Sequence, residues 1–164
     1  GCKMSHYYII KKAKELDLDY VIILEDDFLF TNNSEKMLDY KIFENVDSNW
    51  DFIFLGGRIV GNTTEKINNL ISKVDSVITT IGYILNKKTY DSVLKNLVKY
   101  NYEIDSIYSN LSKKKYYKNY IFDPPLIYQT MLQSSITTRL TKDWVDEKEY
   151  EKKETLKNIE NIFN

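Results

Sequence analysis

An α/β fold follows from two patterns in the chain. Apolar runs of strand length, rich in β-branched and aromatic residues, occupy 20–24 ("YVIIL"), 51–55 ("DFIFL") and 76–85 ("SVITTIGYIL"). Between them, apolar residues recur at helical spacing. That alternation predicts a mixed sheet flanked by helices. With 164 residues, 43% of them hydrophobic, the chain suits one domain, 1–164, with a sizeable core.

The elements are expected in the following order. Ser5 caps a first helix in which Ile9, Ala13 and Leu16 share a face and Lys11, Lys12 and Lys14 lie elsewhere. That helix ends near Asp17. The continuous run 20–24 suits a strand covered on both faces. Asn33 or Ser34 caps a second helix over 35–45, with Met37, Tyr40 and Phe43 in register. Asp47–Asn49 turn, and 51–55 is a second buried strand stopped by Gly56 and Gly57. Residues 76–85 form a strand with Gly82 inside it, and 87–100 a helix with Tyr90, Val93, Leu94 and Leu97 as its apolar stripe. The stretch 103–111 is ambiguous. Pro124 and Pro125 hold 120–130 extended, because proline disfavours helix at the residue before it. The charged stretch 143–164 reads as a surface helix or a tail.

Composition excludes several functions. Lys and Arg number 23 against 24 Asp and Glu, a formal charge of −1, so no global field draws the chain to nucleic acid or an anionic membrane. No apolar run reaches the roughly 18 residues that span a bilayer. A single cysteine, Cys2, excludes an internal disulfide framework and is read as excluding a cysteine-based zinc site. It also points to a reducing, cytoplasmic setting. The Gly-Cys start, without Met, leaves open a removed upstream targeting segment.

The chemistry concentrates at the end of the first strand, where Glu25, Asp26 and Asp27 follow "YVIIL" directly. Repulsion and desolvation both oppose three adjacent acids beside a buried strand. In extended chain, Glu25 and Asp27 point to one side and Asp26 to the other. Two carboxylates so placed suit a hard divalent cation with oxygen ligands, which would offset the repulsion and take substrate phosphate oxygens. In α/β sheets ligands gather at the carboxyl ends of strands. The plain alternative is a solvated or lysine-paired strand end. A phosphoacceptor pocket, or a metal-dependent phosphotransfer or hydrolase site, would rest on the acids alone.

The words around the triplet carry more. "GCKMSH" (1–6) resembles the Gly-Cys-x-x-Ser-His signature of family 25 glycosyltransferases, the family of the lipooligosaccharide and procollagen galactosyltransferases. "VIILEDDFLF", "NWDFIFLGG", "ITTIGYILNKKTYDSVLKNL", "EIDSIYS" (Glu103 standing where the family has Pro) and "DPPLIYQT" resemble later segments of that family, in the same order, over 1–135. The resemblance implies a GT-A-like, Rossmann-type fold. It also implies a first β-α unit upstream of the signature, so the expected fold is truncated at its N-terminus. It implies a metal-dependent, inverting transfer of sugar from a UDP-sugar to a hydroxyl on a glycan or protein, with Mn²⁺ or Mg²⁺ as cofactor. Glu25 and Asp27 would hold the metal as counterparts of an Asp-x-Asp motif. Asp26, Ser5, His6, Gly56, Gly57 and Tyr83 would meet the donor, with Tyr128 as a further stacking candidate and Arg139 as a diphosphate partner. Asp105, at the position of the family's Pro-Val-Asp acid, would be the general base, or plainly a helix N-cap. The only histidine is His6, so a late metal ligand would have to come from Asp143, Gln133, Ser135 or water. The competing reading is a catalytically idle domain of the same fold that binds a partner or sugar within a larger protein.

Overall fold

The computed structural model describes residues 2–32, 34, 40–114 and 116–130. Expectations placed on Asn33, on 35–39, on the tail 143–164 and on Gln133, Ser135, Arg139 and Asp143 lie outside the described residues.

A six-stranded mixed sheet organises the molecule, with β1 (Tyr20–Leu24), β3 (Phe52–Phe54), β4 (Arg58–Lys66), β5 (Ile71–Ile78), β6 (Gly82–Asn86) and β7 (Asn119–Phe122) in the order β1-β6-β3-β7-β5-β4. Only β3 and β7 run parallel; the other neighbours are antiparallel. A separate antiparallel pair joins β2 (Phe28–Phe30) to β8 (Ile127–Gln129). The α/β expectation therefore holds.

The core follows from period-two alternation along β3. Phe52 and Phe54 face one side and Ile53 and Leu55 the other, all essentially buried. On the phenylalanine side lie all three described helices: α1 (Cys2–Glu15), α2 (Tyr90–Lys99) and α3 (Ile104–Ser112). Ile10 and Ala13 of α1 join Val93 and Leu97 of α2 and Ile107, Tyr108 and Leu111 of α3 in that cluster. The opposite side carries Leu126 and Ile127, with Phe28, Phe43, Val46 and Trp50 packed on them. Each fully buried Phe or Leu contributes roughly 1.5–3 kcal/mol, so these contacts, rather than helix propensity, fix where α1 sits.

Several elements differ from expectation. α1 begins at Cys2, so Ser5 is an exposed residue inside the helix, not its cap. Its buried stripe is His6, Ile10 and Ala13, while Ile9 and Leu16 are exposed; a polar residue on the buried face rotated the apparent stripe. The helix ends at Glu15, close to Asp17 as expected. Asp17 adopts φ 56°, with its N–H donating to the Lys14 carbonyl and Leu18 N–H to the Ala13 carbonyl. This is a Schellman closure with aspartate in the place glycine usually takes. Among the described residues β1 is an edge strand rather than one covered on both faces: it pairs with β6 alone, and Tyr20, Ile22 and Leu24 are exposed. The expected strand 76–85 is two strands. Thr79, at φ 70°, breaks it, and β5 and β6 occupy separate places in the sheet. At the end of the expected second helix, the described part is a short 3-10 turn, Tyr40–Phe43. The ambiguous 103–111 is α3, and α2 follows a 3-10 turn at Lys87–Thr89. The stretch 120–130 is β7, a cis Asp123–Pro124 peptide, and β8.

Candidate active site

β1 delivers the acids to the edge of the helical layer. Its last residue leads into Glu25, whose N–H donates to the Ile81 carbonyl at 2.9 Å, bringing the β1 end against the segment between β5 and β6. Glu25 is partly buried, and one oxygen, Oε1, collects three neighbours: Thr80 Oγ1 at 3.0 Å, His6 Nε2 at 3.3 Å and Cys2 Sγ at 3.4 Å. Burial pushes the Glu25 carboxyl up, but the hydrogen bonds from His6, Thr80 and Cys2 outweigh it and hold the group below the usual range.

His6 is buried on the inner face of α1. Its Nδ1 lies 2.8 Å from the Tyr83 hydroxyl, which lies 2.8 Å from the Tyr108 hydroxyl. With Glu25 ionised and the imidazole neutral, one proton order satisfies every member. Tyr108 donates to Tyr83, Tyr83 to His6 Nδ1, and His6 Nε2–H to Glu25. The rings of His6 and Tyr83 stack at 5.8 Å and 14°. Burial first, then the neighbouring Tyr108, raises the Tyr83 phenol well above its ordinary value, so Tyr83 stays protonated.

Asp105 enters from the first turn of α3. It is not the N-cap; Glu103 holds that position. Its carboxylate reaches across to the β5–β6 segment, where Oδ2 accepts from Thr79 N–H at 3.1 Å and Oδ1 faces Thr80 Oγ1 at 2.8 Å. Thr80 is therefore within hydrogen-bond distance of two carboxylates, Glu25 and Asp105, yet its hydroxyl carries one proton. One acid must go without that donor.

Asp27 is held from the other side. β2 and β8 pair Phe28 with Gln129, and the Gln129 amide donates to Asp27 Oδ2 at 2.7 Å. Asp27 Oδ1 is buried with no hydrogen-bond partner among the described residues. An orphaned carboxylate oxygen costs about 1–3 kcal/mol or more. The charges of Glu25, Asp105 and Asp27 all reach Cys2: burial first, then these carboxylates, raises its thiol to about 12.

The remaining candidates separate. Asp26 and Ser5 are exposed. Tyr83 is wholly buried, so its place is behind His6, not stacked on a donor. Gly56 and Gly57 serve packing: a Cβ on Gly56 would collide with the Ile127 carbonyl, and Gly57 has φ 127° with the Ile78 carbonyl 2.8 Å from where its Cβ would lie. Tyr128 pairs with Leu29.

Sequence reasoning missed Cys2, Thr80, Tyr108 and Gln129. Cys2 and His6 are four apart, and that spacing on a helix puts both on one face. The ligand atoms of Cys2, His6 and Glu25 all lie within 4.8 Å of one another, which corrects the expectation that a lone cysteine rules out a cysteine-containing metal set. Asp27 and Asp105 are not part of that group; the Asp27 oxygen without a partner among the described residues is the one feature that leaves a ligand position for a hard cation.

Three comparisons with known proteins bear on this geometry. The sequence model for glycosyltransferase family 25 (LPS biosynthesis protein) matches residues 1–108, the stretch that holds Cys2, His6, Glu25, Asp27, Thr80 and Asp105. Procollagen galactosyltransferase 2 of Homo sapiens is 30% identical over 94 residues, 52% of this chain and 15% of that protein. Procollagen galactosyltransferase 2 of Mus musculus is 25% identical over 93 residues, again 52% and 15%. The chain therefore spans about 15% of the length of the curated relatives it matches.

Proposed function

The chain belongs to glycosyltransferase family 25, and from that premise we propose that it moves a sugar from a nucleoside diphosphate sugar, a UDP-sugar, to a hydroxyl of a glycan or protein, with inversion and with Mn²⁺ or Mg²⁺. The observation that carries this reading is the convergence of Glu25 and Asp105 on the single Thr80 hydroxyl, with Asp27, two residues from Glu25, carrying an oxygen that has no partner among the described residues. So costly a cluster favours an active enzyme over an idle binding domain of the same fold, because a domain without chemistry has no use for uncompensated acids.

Glu25 and Asp27 would hold the cation, which would neutralise charge developing on the departing diphosphate. His6 orients Glu25 through Nε2, and the Tyr83–Tyr108 pair fixes the imidazole from behind. Asp105 is the base. When Thr80 gives its single proton to Glu25, Asp105 Oδ1 is left as a free acceptor, held in place by Thr79 N–H on its other oxygen. That lone pair takes the proton of the acceptor hydroxyl as it attacks. Asp26 and Ser5, both exposed, retain the expected donor-contact roles.

Calorimetric titration of a panel of UDP-sugars, with and without Mn²⁺, tests the donor and metal together. Metal-dependent binding of one member, with UDP released on adding acceptor, is expected. Binding indifferent to chelator would overturn the metal reading. Binding without transfer to any acceptor, in the full-length protein, would favour the idle domain.

A further inference from the structure

The helix α1 offers the site more than an orienting histidine. Cys2 and His6 stand one turn apart on the face turned to Glu25, and thiol, imidazole and carboxylate oxygen converge within 4.8 Å. We propose that Cys2, His6 and Glu25 form a second, thiophilic cation site, selective for Zn²⁺, which overlaps the hard-cation site at Glu25 and shuts it when filled.

The donor set decides the metal. Sulfur and imidazole nitrogen suit Zn²⁺, whereas Mn²⁺ and Mg²⁺ prefer oxygen. Three protein ligands leave a fourth position of a tetrahedron for water. The surroundings are built for it. A zinc-bound histidine usually donates its other ring N–H to a fixed acceptor. Here Nδ1 faces the Tyr83 hydroxyl at 2.8 Å, and Tyr83 can accept there while donating to Tyr108. Without metal the thiol keeps its proton and points it at Glu25. On binding, the thiol proton leaves to solvent, the imidazole changes tautomer so that its one proton passes from Nε2 to Nδ1 while the Tyr83 and Tyr108 hydroxyls turn to donate in the opposite order, the Cys2–Glu25 and His6–Glu25 hydrogen bonds are replaced by bonds to the cation, and no electron is transferred. The cation's own charge supplies the drive that deprotonates a coordinating thiol. Since Glu25 cannot serve both cations, zinc withdraws it from Mn²⁺. This inhibitory consequence rests on the function proposed above; zinc binding itself does not.

The test uses the metal-free protein and three readouts. Calorimetry with Zn²⁺ should give one site per chain. Co²⁺ in its place should show the absorption of a thiolate–cobalt charge transfer. Cys2→Ser should lose that band and weaken zinc by more than the roughly 10–100-fold typical of an outer-shell change, while Tyr83→Phe should weaken it within that range. Melting in chelator controls for folding of each variant. Asp27→Asn separates the two readings, since it should spare zinc and abolish Mn²⁺-dependent UDP binding. Stoichiometric zinc with the cobalt band upholds the site even if no UDP-sugar binds. Failure of the parent to bind zinc, or equal zinc affinity and an unchanged cobalt spectrum in a folded Cys2→Ser, overturns it.

Discussion

Replacing Asp105 by asparagine should separate catalysis from folding at this site. In the parent, Thr80 Oγ1 faces Asp105 Oδ1 at 2.8 Å and Glu25 Oε1 at 3.0 Å with a single proton for both. Asparagine resolves the shortage. Its carbonyl oxygen can keep the hydrogen bond from Thr79 N–H, and its amide can donate to Thr80, freeing the Thr80 proton for Glu25. A like charge also disappears beside Glu25. In metal-free buffer the variant should therefore melt at or above the parent. Catalysis should move the other way, because an amide cannot take the acceptor proton. Loss of a positioned base costs on the order of 100- to 10,000-fold in rate, about 2.7–5.4 kcal/mol of barrier. Nucleotide affinity should hardly change, since the base acts chiefly in the transition state.

The assay pairs UDP release with acceptor present, UDP affinity by calorimetry, and thermal melting in chelator. Turnover within a few-fold of the parent would place the base elsewhere. A joint fall of affinity and turnover would put Asp105 in the donor or cation site. A melting temperature lower by about 4 °C or more, equivalent to roughly 1–2 kcal/mol in a chain of this size, would mark Asp105 as a structural acceptor.

Other perturbations probe the remaining groups. Asp27→Asn should abolish metal-dependent UDP binding and melt higher than the parent without metal, because the charge is removed from a carboxylate with one buried oxygen that has no partner among the described residues; equal UDP affinity, by calorimetry, would contradict the metal assignment. Gly56→Ala should destabilise by about 1–3 kcal/mol through collision with the Ile127 carbonyl, and a melting curve like the parent's would show that the β3–β8 approach can relax. The Glu25 carboxyl is held below its ordinary value in the folded protein, so the unfolded chain binds its proton first as pH falls. The stability it contributes is present above the ordinary value of 4.5 and is lost as pH drops through the lower folded value. Acid unfolding of the metal-free parent should thus fall more steeply below about pH 4.5 than that of Glu25→Gln; parallel curves would show that the His6 and Thr80 contacts do not hold the ionised form.

Much of the fold was legible because burial writes itself into period. The run 52–55 is apolar at every position and lies in the middle of the sheet with both faces covered. The stripe of Tyr90, Val93 and Leu97 is the buried face of α2. What the pattern cannot state is which strand is whose neighbour. Residues 20–24 are as apolar as 52–55, yet β1 is an edge among the described strands, and only pairing distinguishes them. β4 escaped notice because "RIVGNTTEK" is mostly polar and owes its strand form to β5, with Gly61 at φ 93° in the irregular stretch between Val60 and Thr63. The break between β5 and β6 was hidden because Thr79 and Thr80 have strand-like side chains, while the positive φ of Thr79 is a tertiary choice. In the site, the acids and His6 stood out by type. Their partners Thr80, Tyr108 and Gln129 are ordinary residues whose role exists only once α1 packs on β1, α3 on β5, and β8 pairs with β2.

The three adjacent acids meet three different fates, and together these explain how the chain tolerates them. Asp26 turns outward and is solvated, so it costs little. Glu25 turns inward but meets donors from α1 and from the β5–β6 segment, enough to keep it ionised despite burial. Asp27 is the exception: one oxygen is satisfied from β8 and the other is buried with no partner among the described residues. Packing has therefore repaid the desolvation of one acid, avoided that of the second, and left that of the third open on one side. A fold under selection for stability alone would close that gap with a serine or an amide, as it did for Glu25 with Thr80. Under the proposed function, that open oxygen would be a ligand position whose stabilisation is withheld until the cation and substrate bind.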